Sequence, residues 1–130
     1  MAAMGPKMCR LAGELGDVVL LNWMTPERIA WARLQIEEGA RARNVVPRIA
    51  AYVRVAAGAG ANDELFEAES HYRQLPHYAR HFDAMGAAPG TVGITSDHVE
   101  RIRDYEAVLD ETIVRPLGDV AEILDLMAPS

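Results

Sequence analysis

The sequence predicts an α/β fold, a parallel sheet with helices packed on it. Three observations carry this reading. Short apolar runs alternate with segments of helical period, in the order strand, helix, strand, helix, strand, two helices, strand, helix. The turns between them are short. The run Val18-Val19-Leu20-Leu21 is continuously apolar, as suits a parallel strand covered on both faces. No repeat, low-complexity tract or linker divides the chain, so residues 1–130 read as one domain.

Ala2–Met4 is small and apolar, consistent with the end of a buried strand. Gly5-Pro6 then turns the chain. Proline suits the first helical position because its missing N–H would be unpaired there. Lys7–Leu15 reads as a short helix with Met8, Leu11, Ala12 and Leu15 on one side, ended by Gly16 as a C′ glycine. After Val18–Leu21, Asn22-Trp23-Met24 leads into Thr25-Pro26-Glu27. Thr25 can cap, Pro26 sits at the first helical position, and Glu27 complements the dipole. That helix runs to about Arg43 through Ile29, Ala32, Ile36 and Ala40.

Arg48–Ala57 is the third strand, built on Ile49, Tyr52, Val53 and Val55. Gly58-Ala59-Gly60 is a turn, and Asn62 or Asp63 can cap a long helix broken at Pro76. A loop covers Gly86 to Gly93. Ser96 or Asp97 starts a helix through Val99, Ile102, Tyr105 and Leu109. Glu111–Leu117 is the fourth strand. Asp119, with Glu122 three residues on, resembles a capping box for a last helix through Val120, Ile123, Leu124 and Met127.

Composition narrows the partners. The formal charge is −6 with 13 Lys+Arg scattered along the chain, which argues against nucleic acid. No apolar run approaches the roughly 20 residues that span a bilayer. Glu14 and Asp17 interrupt the N-terminal stretch, making it a poor signal peptide. One cysteine, Cys9, cannot form an internal disulfide; the reading is cytoplasmic and reducing.

Several residues stand out chemically. Two successive strand-to-helix turns, at Gly5-Pro6 and at Asn22–Pro26, can present free N–H groups to an anion, although Gly5-Pro6 is also simply a tight helix start. His77 and His81 share a helix face, but Tyr78 occupies the place of a metalloprotease glutamate and no Cys or Asp completes a set, so no metal is expected. Arg54 and Arg115 either face inward toward an anionic tail or substrate, or point outward to a helix carboxylate. Cys9 has no activating base beside it and reads as a packing residue. Trp23 and Trp31 suit a core or an interface.

The segments Ala2-Ala3-Met4-Gly5-Pro6-Lys7-Met8, Leu11-Ala12-Gly13-Glu14 and Asp17-Val18-Val19-Leu20-Leu21-Asn22-Trp23 resemble the second half of bacterial luciferase-like oxidoreductases. So do Pro47–Ala56, Tyr78–Phe82 and Glu111–Leu117. The nearest branch uses the deazaflavin F420, with FMN users beside it. The resemblance covers essentially the whole chain and implies the C-terminal half of a (β/α)8 TIM barrel, about four parallel strands with helices on one side. It implies hydride transfer or oxygen activation at a flavin-type ring. The cofactor would be F420, or alternatively FMN. Ala3, Met4, Gly5 and Pro6 would line the first cofactor turn, and Asn22, Trp23 and Thr25 the second. Tyr78 and His81 would border the substrate, with Arg54 and Arg115 as inward-facing candidates. No residue is assigned a catalytic role.

Two departures from the family pattern matter. Val18 follows Asp17 where the family often has glycine, and the first four βα units have no counterpart here. A half-barrel exposes two strand edges, so a homodimer closing them is expected. The alternative to a cofactor enzyme is a non-catalytic half-barrel module, or a truncated gene product whose missing half lies upstream.

Overall fold

The computed structural model describes residues 4–88 and 90–128. Ala2, Ala3 and most of the first expected strand lie outside the described residues. The described chain contains α1 (Pro6–Leu15), β1 (Val18–Asn22), α2 (Pro26–Gly39), β2 (Arg48–Ala57), α3 (Ala61–Arg73), α4 (Pro76–Met85), α5 (Ile102–Glu106), β3 (Glu111–Gly118) and α6 (Val120–Met127).

The strands form a parallel sheet in the order β1-β2-β3, with Val18 opposite Arg48 and Ala50 opposite Glu111. Period-two alternation gives the sheet two unlike faces. Val19 and Leu21 of β1, with Ile49, Ala51, Val53, Val55 and Ala57 of β2, join a core with Cys9 and Ala12 of α1, Ile29, Ala32 and Ile36 of α2, Tyr105 of α5 and Ile123 of α6. The other face carries Leu20, Asn22, Tyr52, Arg54 and Ala56, with Ile113, Arg115 and Leu117 across the register. The apolar run of β1 is therefore not covered evenly: Val19 and Leu21 are buried, while Val18 is 45% exposed.

Helices α1 and α2 approach backbone to backbone. A Cβ on Gly13 would collide with the carbonyl of Ile36, and one on Gly39 with the carbonyl of Arg10. Two glycines thus set the spacing of this layer. Helices α3 and α4 build a second cluster at the C-terminal ends of the strands, where Leu65 and Phe82 pack with Trp23 and Ala56.

Most helix starts follow local chemistry. Pro6, Pro26 and Pro76 each open a helix. Thr25 Oγ1 accepts the Arg28 N–H at 3.2 Å, and Asp119 Oδ1 accepts the Glu122 N–H at 3.0 Å. Other boundaries differ from expectation. Gly16 closes α1 in an extended conformation (φ −88°, ψ 152°), not as a left-handed C′ residue, while its N–H still bonds Ala12. Helix α2 tightens into a 3-10 turn at Ala40–Ala42 before Arg43. Gly60 (φ 75°) opens α3, so Asn62 and Asp63 fall inside its first turn and cap nothing. The helix expected from Ser96 to Leu109 is a 3-10 segment, Ser96–Arg101, kinked inside at His98, followed by α5, which ends at Glu106.

The loop after α4 is anchored by a buried charge. Glu69 of α3 accepts the N–H groups of Gly90 and Val92, and lies 3.5 Å from Arg73 Nε. Beyond it, Ile94 forms a parallel bridge with Val55.

Candidate functional site

The turn between β1 and α2 organises the site. Asn22 ends β1, and Trp23 follows with φ 55°, the one non-glycine residue with positive φ among those described. Such a backbone costs about 1–3 kcal/mol and persists only where its surroundings fix it. Here three elements do so. His81 of α4 donates from Nε2 to the Trp23 carbonyl at 2.6 Å. The Tyr105 hydroxyl donates to the Met24 carbonyl at 3.0 Å. The Arg54 guanidinium lies 3.8 Å from the centre of the Trp23 ring, which also meets the Tyr72 and Phe82 rings.

In front of this turn opens a cavity of about 450 Å³. The first helix start supplies Met4, Gly5, Pro6 and Met8, and β1 supplies Leu20 and Asn22. Arg28 comes from α2, and His77, Tyr78, Arg80, His81 and Ala84 from α4. The lining contains two arginines and two histidines and no carboxylate, in a chain of formal charge −6. An anion entering it meets the two guanidinium groups and no opposing carboxylate.

Two polar groups on this lining are buried without a partner: Arg28 Nε and His81 Nδ1. A carbonyl can only accept, so the bond to Trp23 places the His81 proton on Nε2 and leaves Nδ1 as a bare acceptor. Burial holds the imidazole below its usual value, opposed by the bond to the Trp23 carbonyl, with Arg28 lowering it further. Burial likewise lowers Arg28, whose guanidinium stacks on Trp31 at 3.4 Å. Arg80 donates to His77 Nδ1 at 3.1 Å. Among the described residues, no cluster of three or more His, Cys, Asp or Glu has metal-site geometry.

The fold brings Met4, Gly5, Pro6, Asn22, Tyr78 and His81 together on one cavity. Ala3 lies outside the described residues. Trp23 is buried, and neither it nor Thr25, whose Oγ1 accepts the Arg28 N–H, is on the lining of this cavity. Arg54 faces inward, only 7% exposed, and donates to Asn22 Oδ1 at 2.5 Å. Arg115 is exposed on the same sheet face, 5.2 Å from the Tyr52 ring and away from the cavity. Met8, Leu20, Arg28, Arg80 and Ala84 join the lining without a sequence expectation, and His77 joins it as a polar residue. The spacing of His77, Arg80, His81 and Ala84, one helical stripe, was the available signal for the α4 side. Cys9 is fully buried; desolvation raises its thiol to about 11, so it remains protonated at neutral pH.

The luciferase-like monooxygenase family model matches residues 1–115. No curated protein matches the chain. Among solved structures, the chain is similar to the coenzyme F420 dependent tetrahydromethanopterin reductase from Methanopyrus kandleri, with a TM-score of 0.61 and 21% identity. That match covers 97% of this chain and 47% of the reductase. It is also similar to an F420-dependent secondary alcohol dehydrogenase in complex with an F420-acetone adduct, with a TM-score of 0.70 and 18% identity. Here 96% of this chain and 45% of the dehydrogenase are covered. The chain thus spans less than half the length of either, and the three strands among the described residues form part of such a barrel without closing it.

Proposed function

The chain belongs to the luciferase-like monooxygenase family, and from that premise we propose that its cavity holds the phosphate-bearing end of a deazaflavin or flavin cofactor. F420 is the first choice, because both similar structures are described as F420-dependent. FMN is the alternative. The observation that carries the reading is the lining itself: Arg28 and Arg80 with no carboxylate, beside the uncapped start of α1. The space at Gly5 also fits, since a Cβ there would meet nothing within 4 Å.

The cofactor supplies hydride transfer when bound. This chain's residues bind and orient it. The N–H groups at the start of α1 and the Arg28 guanidinium face the anion, while Leu20 and Met8 supply apolar contact. The substrate side of the ring falls to the rest of a complete barrel, so oxidoreductase activity belongs to the closed assembly. The reading places the chain in the cytoplasm.

The test is a titration of the folded chain with F420 and with FMN, followed by fluorescence. A saturable change with F420 at micromolar concentration is expected. No saturable change with either overturns the reading and favours a structural half-barrel.

A second copy closing the sheet is proposed on one observation. The outer edge of β3 has no strand partner among the described residues, and Glu111 and Arg115 on it are exposed. Light scattering should give a dimer at micromolar concentration; a monomer defeats this.

A further inference from the structure

The side chain of Asn22 is held at both ends. Arg54 Nη1 donates to its Oδ1 at 2.5 Å, and its Nδ2 donates to the Tyr78 hydroxyl oxygen at 3.3 Å. The direction of this chain of bonds is fixed by chemistry. A guanidinium has only donors, so the amide atom facing Arg54 must be the oxygen, and the atom facing Tyr78 must be the NH2. The Tyr78 oxygen is then an acceptor toward Asn22. Its own proton has no acceptor among the described residues, and both Asn22 and Tyr78 line the cavity.

We propose that Arg54, Asn22 and Tyr78 form a one-way hydrogen-bond relay that presents the Tyr78 O–H to an oxygen acceptor of the anionic ligand. Tyr78 is the binding residue, and Asn22 and Arg54 are positioning residues that act through it. Arg54 is suited to its end of the relay. It is 7% exposed, lies over the Trp23 and Tyr72 rings, and makes no ion pair among the described residues, so no carboxylate competes with Asn22 for its donors. Bonds in such a series polarise one another, which makes the terminal hydroxyl a better donor. The Tyr78 ring is itself held edge-on against Tyr72, with centroids 4.8 Å apart. The relay therefore suits a ligand with an acceptor at that point.

This inference rests on the cofactor reading, and the experiment separates the two. Affinity for F420 is measured by fluorescence in the wild type, Tyr78→Phe, Asn22→Asp and the double variant. Asn22→Asp keeps the Arg54 bond but turns the atom facing Tyr78 into an acceptor, so the hydroxyl proton is drawn inward. Tyr78→Phe should weaken binding about tenfold in the wild-type background and not at all in the Asn22→Asp background. An equal loss in both backgrounds, or none in the wild type, overturns the relay. If the wild type binds no F420, the cofactor reading has failed, and the relay is read in the free protein by NMR. The Asn22 side-chain NH2 resonances should move in both Tyr78→Phe and Arg54→Lys; resonances unmoved in either variant overturn it.

Discussion

The two faces of β1 and β2 are made by alternate residues of the same strands, yet they do opposite work. On one face, Val19, Leu21, Ile49, Ala51, Val53 and Val55 are buried and apolar against α1, α2, α5 and α6. On the other, Leu20, Asn22, Tyr52 and Arg54 run toward the cavity and the capping pair α3 and α4. The first face needs only shape and burial. The second holds a buried guanidinium, a left-handed Trp23 and an unpaired imidazole nitrogen, each of which lowers stability unless something else requires it. Stability and binding are thereby separated along one strand by a step of one residue.

That separation is open to direct attack. The largest effect should come from the apolar face. Ile36 is fully buried between α1, α2 and the sheet, so Ile36→Ala should lower unfolding free energy by about 2–5 kcal/mol, read from urea denaturation. F420 affinity of the folded fraction should stay unchanged. A parallel loss of affinity would show the two faces to be coupled.

Gly5→Leu makes the complementary attack. Gly5 has φ −87° and open space where a side chain would project, so the fold has no need of glycine there. Stability should stay within about 0.5 kcal/mol of wild type. The added side chain enters the cavity, and cofactor affinity should fall at least about tenfold, close to 1.4 kcal/mol. Unchanged affinity removes the α1 start from the site.

The sequence made the first face legible and only part of the second. Strand β2 and the starts at Pro6, Pro26 and Pro76 are written in local chemistry, as are the Thr25 and Asp119 caps. The Gly13 and Gly39 contacts are not, because each depends on a backbone far away in sequence. The Ile94 bridge is tertiary in the same sense. In the site, Gly5, Asn22, Tyr78 and His81 stood out beforehand. Arg28 and Arg80 drew no expectation from the sequence; folding sets them around one cavity without a carboxylate. Thr25, expected both to cap and to line the second turn, caps by accepting the Arg28 N–H and is not among the residues on this cavity.

The smallest predicted effect joins the two faces through His81. The unfolded imidazole takes a proton near 6.5, whereas burial holds the folded one lower. As pH falls below 6.5, the unfolded chain binds that proton first, so stability should drop until the folded group also titrates. Above 6.5 this contribution is fully present. His81→Gln retains an N–H for the Trp23 carbonyl but cannot titrate, and the charge it avoids is one that Arg28 would repel. Urea unfolding between about pH 8 and pH 5 should therefore give a flatter stability curve for the variant below 6.5, and similar values above it. Parallel curves would mean that burial does not hold the folded imidazole below the unfolded one, and that any pH dependence of stability in this range arises elsewhere.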